Sequence, residues 1–191
     1  MSTKQNTAKE LDPDWAWSAY APSPNQPWDL GRAAHLYRRA GFGANWTELQ
    51  QALEDGPEKS IDRLLAPGPV AEAFNQEYDA YEASAAAGES ADPLAAWWLR
   101  RMIQSPCPLQ EKMTLFWHGY FGISNSRVKN AGLMLAHLAH LRANAMGNFQ
   151  SQLTPLHKDS AVLLCLGSDA NRKAAPNLAF VGVLLRDYTV G

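Results

Sequence analysis

The chain has 191 residues, 46% of them hydrophobic and 19% charged. That composition excludes a disordered chain, a collagen-like rod and a coiled coil. Its net charge is −2, its longest uncharged apolar run (174–185) is about half a membrane span, and residues 1–17 contain no apolar stretch of the export type. The expectation is a cytoplasmic protein with no membrane segment.

The prolines and tryptophans of residues 1–28 predict an extended N-terminal arm that docks Trp15, Trp17 and Trp28 onto a helical body spanning 29–191. Asp29 is read as the N-cap of a helix over 30–40, stopped at Gly41-Phe-Gly43. Asn45 with Glu48 forms a capping box for a helix over 46–55, with Leu49 and Leu53 inward. Gly56-Pro57 ends that helix and starts another over 57–65. A helix carrying Phe74, Tyr78 and Tyr81 follows, then a mobile segment over 83–91. Asp92-Pro93 starts a helix over 94–104 whose inner face is assigned to Trp97, Trp98, Leu99 and Met102. Further helices are expected over 108–121, 131–146, 148–156 and 160–166. Residues 176–191 stay ambiguous, because Gly182 and two valines weaken a helix. With no alternating strand pair and no hairpin turn, the fold class is all-α, an irregular orthogonal cluster.

Charge is unevenly placed. Residues 1–95 hold seven Lys/Arg and fifteen Asp/Glu, whereas 96–191 hold ten and four. The expectation is that the two halves face one another, or that the basic half faces acidic residues elsewhere. Nucleic-acid binding is disfavoured, since basic residues never run longer than two and no basic-aromatic platform appears. Cys107 and Cys165 have no CxxC spacing, and Cys165 lies in an apolar run that marks it as a small buried hydrophobe.

Chemistry concentrates in 109–121. Glu111 and His118 are seven apart, two helical turns, so they share a face; at about 10 Å a substrate, water or another helix must lie between them. The structural alternative is a buried pair bonded to backbone and to Lys112 or Arg142. His137 and His140 have HxxH spacing, which offers two metal ligands but no third; the plainer expectation is a partly exposed helical face. Asp159 is read first as the N-cap of the helix from Ser160, and His35 as solvent-facing or at the core edge. No G-x-S-x-G, Walker A, HExxH or G-x-G-x-x-G motif exists.

The order of Ala33-Ala-His-Leu-Tyr-Arg-Arg-Ala-Gly-Phe-Gly-Ala44, Glu111-Lys-Met-Thr-Leu-Phe-Trp-His-Gly-Tyr-Phe121, Arg142 with Ala145-Met-Gly-Asn-Phe149, then Asp159 and Pro176-Asn177, resembles the bacterial domain of unknown function 1800 family, in its planctomycete type. Members run to several hundred residues, so the resemblance implies a truncated, N-terminal portion. No biochemical function is established for the family. Where its members read W-H-x-H-F this chain has Tyr120, and Leu178, Ala179, Gly182, Val183 and Arg186 replace polar positions of the family's last stretch. The expected function is accordingly a non-catalytic, truncated helical domain that binds a partner or self-associates through its apolar C-terminal segment. The alternative is a metal-dependent or acid/base hydrolase using Glu111 and His118, with Arg142 and Asp159 in support and His118, His137 and His140 as candidate metal ligands. The sequence names no cofactor and leaves that identity open.

Overall fold

Short polar side chains that accept a backbone N–H set most helix starts. In the computed structural model, which describes residues 17–66, 68–88 and 90–190, Asp29 caps α1 (Leu30–Ala40) through Arg32 N, and Asn45 and Glu48 close a capping box on α2 (Trp46–Leu65). There follow α3 (Pro69–Ala85), α4 (Asp92–Gln104), α5 (Pro108–Phe121), α6 (Asn125–Val128), α7 (Ala131–Ala143), α8 (Phe149–Leu156), α9 (Ser160–Cys165) and α10 (Ala179–Gly182), which runs on into a π-helical segment, Val183–Val190. Asn130, Asn148 and Asp159 cap α7, α8 and α9. The fold is all-α, and the described residues contain no strand beyond two isolated bridges, Ser23–Gln26 and Arg172–Ala175. None of their helices is long and apolar enough to cross a membrane.

The Gly56-Pro57 punctuation works as its residues dictate. Gly56 adopts φ 76°, a left-handed value open to glycine, and α2 bends there with Ser60 Oγ donating to Gly56 O at 2.7 Å. A small core of Ala33, Tyr37, Ala52 and Leu64 joins α1 to α2. Trp28 packs on it and donates its Nε1–H to Ala52 O at 2.9 Å. Among the described residues the arm docks no further tryptophan there, since Trp17 is 89% exposed; Trp15 lies outside the described residues. Leu49 packs on this core, whereas Leu53 is 37% exposed and the fully buried residues of α2 are Ala52 and Ser60.

The larger core gathers α3 to α9 and the C-terminal segment around Trp97, Trp98, Phe121, Leu138, Leu141, Leu156, Val162 and Tyr188. On α4 the buried stripe is Leu94, Trp97, Trp98 and Arg101, the i, i+3, i+4, i+7 face of one helix. Leu99 falls off that stripe and is 56% exposed, correcting its inward assignment. α3 runs to Ala85, where Ala85 and Ala86 pack on the core, so the segment expected to be mobile begins helical. The C-terminal segment is latched by two tyrosines: Tyr188 Oη donates to Phe121 O, and Tyr120 Oη donates to Tyr188 O at 3.1 Å.

Candidate functional site

Helix α5 starts at Pro108, whose missing N–H costs nothing at a helix start, and stops at Gly122 in the left-handed region. One turn in, Glu111 is completely buried. Its Oε1 accepts from Arg101 Nε at 2.8 Å and Arg142 Nε at 3.0 Å, and its Oε2 accepts from Trp98 Nε1 at 3.3 Å. The remaining guanidinium charge is met from α3. Arg101 donates to Asn75 Oδ1 and lies 3.6 Å from Asp79, while Arg142 lies 4.0 Å from Glu82. Both guanidinium groups also lie over the Trp97 ring. Burial raises the Glu82 carboxyl above its usual range, with Asp79 adding to it. Burial likewise raises the Cys107 thiol, with Glu111 next in effect. Burial lowers Arg142, against the opposing pull of Glu111. Here the acidic first half of the chain does meet the basic second half. Lys112, the other proposed partner of Glu111, instead extends over the Phe42 ring.

What lies between Glu111 and His118 is Trp98. Its indole N–H is spent on Glu111, and its ring meets His118 edge-on with centroids 5.3 Å apart. Glu111 thus does not orient His118 directly.

A second group forms where α5, α7 and the start of α9 converge. His137 is completely buried, not part of an exposed face, and its Nδ1 lies 2.7 Å from Asp159 Oδ2. The other oxygen, Asp159 Oδ1, caps α9 through Ala161 N at 2.8 Å and Val162 N at 3.3 Å. Burial alone would raise the Asp159 carboxyl, but the hydrogen bond and charge of His137 and the two backbone donors prevail and hold it below its ordinary value. An ionised carboxylate can only accept, so a hydrogen sits on His137 Nδ1, facing Asp159 Oδ2. His137 Nε2 is buried without a hydrogen-bond partner, and so is His118 Nδ1. The two rings are 6.0 Å apart, centroid to centroid, at 59°. Burial, then the neighbouring His137, holds His118 below the ordinary histidine value.

His118 also forms the wall of a cavity of about 410 Å³, together with Trp98, Gly119, Ile123, Met134 and Leu138 among others. It is the one ionisable side chain among the lining residues. His140, three residues beyond His137, turns elsewhere: Nε2 lies 3.2 Å from Gln152 O and Nδ1 3.3 Å from Asn144 Nδ2. It lines a separate cavity of about 300 Å³ with Lys158 and Asp159. His35 is exposed on α1. The structure therefore brings His118, His137 and Asp159 together, sets Glu111 and Arg142 in a separate charge cluster, and places His140 outside both. Among the described residues no three His, Cys, Asp or Glu side chains converge to hold a metal ion.

The family profile described as protein of unknown function (DUF1800) matches residues 35–179. The chain belongs to the DUF1800 family. No curated protein and no solved structure matches it. All the residues of both clusters lie inside the matched range of this DUF1800 chain. Tyr120, which stands at a histidine position of the resemblance, is two residues past His118 and so about 200° around α5. It packs among Phe116, Trp117, Phe121 and Tyr188, away from the His118 cavity. Leu178, Ala179, Gly182, Val183 and Arg186 do not line that cavity either.

Proposed function

We propose that this domain is a non-catalytic binding module that takes a small, largely apolar molecule into the His118 cavity. The observation that carries the reading is a concave site with apolar walls and a single ionisable side chain, backed by the fully buried His137 and its partner Asp159. Such a combination of apolar walls and few, placed polar groups is the usual form of a small-molecule pocket. Glu111 argues for binding over hydrolysis: its two oxygens take three hydrogen bonds from Arg101, Arg142 and Trp98, and it has no exposure. A general acid or base needs reach to the substrate proton, and this carboxylate has none.

Gly119 provides the test, because a Cβ built there meets nothing within 4 Å. Indole and small aliphatic alcohols, followed by ligand-observed NMR, are expected to bind the full chain saturably. In Gly119→Leu, which fills the cavity while keeping the helix, that binding is expected to vanish. Binding that is absent for both probe classes, or unchanged in Gly119→Leu, overturns the reading.

A second reading, self-association through the C-terminal segment, is favoured by Leu178 at 70% and Leu185 at 52% exposure. Sedimentation velocity over a concentration series checks it. A single monomeric species at all concentrations, for the wild type and Leu185→Lys alike, would remove it.

A further inference from the structure

Two imidazole nitrogens, on helices α5 and α7, are buried in the same neighbourhood with no hydrogen bond. Each is unusual, since buried polar atoms in folded proteins nearly all find a partner. At His137 the Nδ1–H is committed to Asp159, which leaves Nε2 as the nitrogen that can act as a ligand, through the lone pair of the neutral ring. At His118 a lone pair on Nδ1 avoids burying an unused N–H. Two lone pairs cannot satisfy each other. A cation or a hydrogen donor between the rings would pair with both.

The ring spacing suits one bridging ion. Imidazole nitrogens bind a first-row ion at about 2.0–2.1 Å, which sets two rings sharing one ion about 5–6 Å apart, centroid to centroid; the observed separation is 6.0 Å. The second partner is also in place, because metal-bound histidine commonly donates its other N–H to a carboxylate that fixes the ring. Asp159 does this for His137. The donor set excludes hard ions. Magnesium and calcium require converging oxygens, whereas both oxygens of Asp159 are taken by His137, Ala161 and Val162.

We propose that His118 Nδ1 and His137 Nε2 together bind one borderline divalent transition-metal ion of the zinc, cobalt or copper class. Asp159 is the positioning residue, and the ion's remaining positions are filled by water or by the molecule in the cavity. The proposal builds on the cavity reading but does not need it, since metal uptake is measured with no organic ligand present.

The experiment uses the full chain, stripped with chelator and dialysed, then titrated with Co(II) and read by its visible d–d absorption, with Zn(II) as competitor. One equivalent per chain is expected, displaced by one equivalent of Zn(II). His118→Phe keeps a ring but no donor, and is expected to lose the signal while melting as a folded helical protein. Asp159→Asn keeps an N-cap residue and is expected to weaken binding about 10–100-fold. His140→Ala is expected to bind as the wild type does. No uptake by the wild type overturns the proposal and leaves a bridging water between the rings. Uptake that survives His118→Phe, or that is lost equally in His140→Ala, overturns it as well. If Co(II) binds and indole does not, the cavity reading falls and the metal site stands; the reverse outcome separates them the other way.

Discussion

Replacing Glu111 by Gln removes one negative charge from between two buried guanidinium groups while changing the side-chain volume very little. Arg101 is 2% exposed and Arg142 8%. In Glu111→Gln both lose their closest anion, at 2.8 and 3.0 Å, and retain only Asp79 at 3.6 Å and Glu82 at 4.0 Å. Removing one partner of a buried pair costs about 3–5 kcal/mol. Asp79 and Glu82 offset part of the second cation, so we expect the total to stay within about 3–5 kcal/mol rather than double. In a chain of this size that corresponds to a fall in Tm of about 6–20 °C. The assay is urea unfolding followed by far-UV circular dichroism, with the midpoint and slope compared at neutral pH. The counterpart is a triple apolar replacement, Glu111→Met with Arg101→Met and Arg142→Met, which is expected to be neutral or stabilising. A Glu111→Gln midpoint within about 1 kcal/mol of the wild type would refute the reasoning: the carboxylate would then not be the compensating charge of this cluster.

Gly119→Ala should stabilise the domain by about 0.5–1 kcal/mol, because a mid-helix glycine is replaced where the added Cβ has open space; equal or lower stability in thermal melts would show that α5 needs the freedom. Tyr188 is pushed up to about 12 by burial, above its unfolded value of about 10. Its contribution is therefore complete below about pH 10 and lost as pH rises towards 12, and Tyr188→Phe should flatten the alkaline fall in stability. Asp159→Ala should cost about 1 kcal/mol for the lost cap and about 1–3 kcal/mol for the orphaned His137, measured by the same urea assay. Cys107 and Cys165 are buried, so a thiol reagent should label the native chain far more slowly than the unfolded one; equal rates would contradict the core packing.

Helix starts were the most legible part of the fold, because Asp29, Asn45 and Asp159 act through bonds to residues two or three away. The chemistry of a cap is local and needs no knowledge of the fold. The charge cluster was legible only in part. Arg142 could be named beside Glu111 from residue type, but Arg101 reads as one of a surface Arg-Arg pair until α3 supplies Asn75 and Asp79. One signal was available: Arg101 continues the Leu94, Trp98 stripe, and a cation in an apolar stripe marks a buried ion pair. His137 was visible as half of an HxxH pair, yet its side could not be told from that of His140. Residues three apart lie about 60° from alignment, and here that angle separates a fully buried ring from one bonded to α8. The Asp159–His137 contact spans 22 residues, beyond any spacing rule within one helix.

The same three-helix charge cluster has a consequence for alignment. Glu111 must meet a guanidinium from α4 and another from α7 at once. Sliding α5 by one turn, about 5.4 Å, would bring Leu115 or Cys107 to its place and strand two cations in hydrocarbon. An apolar interface tolerates such slips, since one leucine resembles the next; a shared carboxylate does not. Glu111 therefore acts as a detent for the helix that also carries His118, fixing how deep that imidazole sits beside His137.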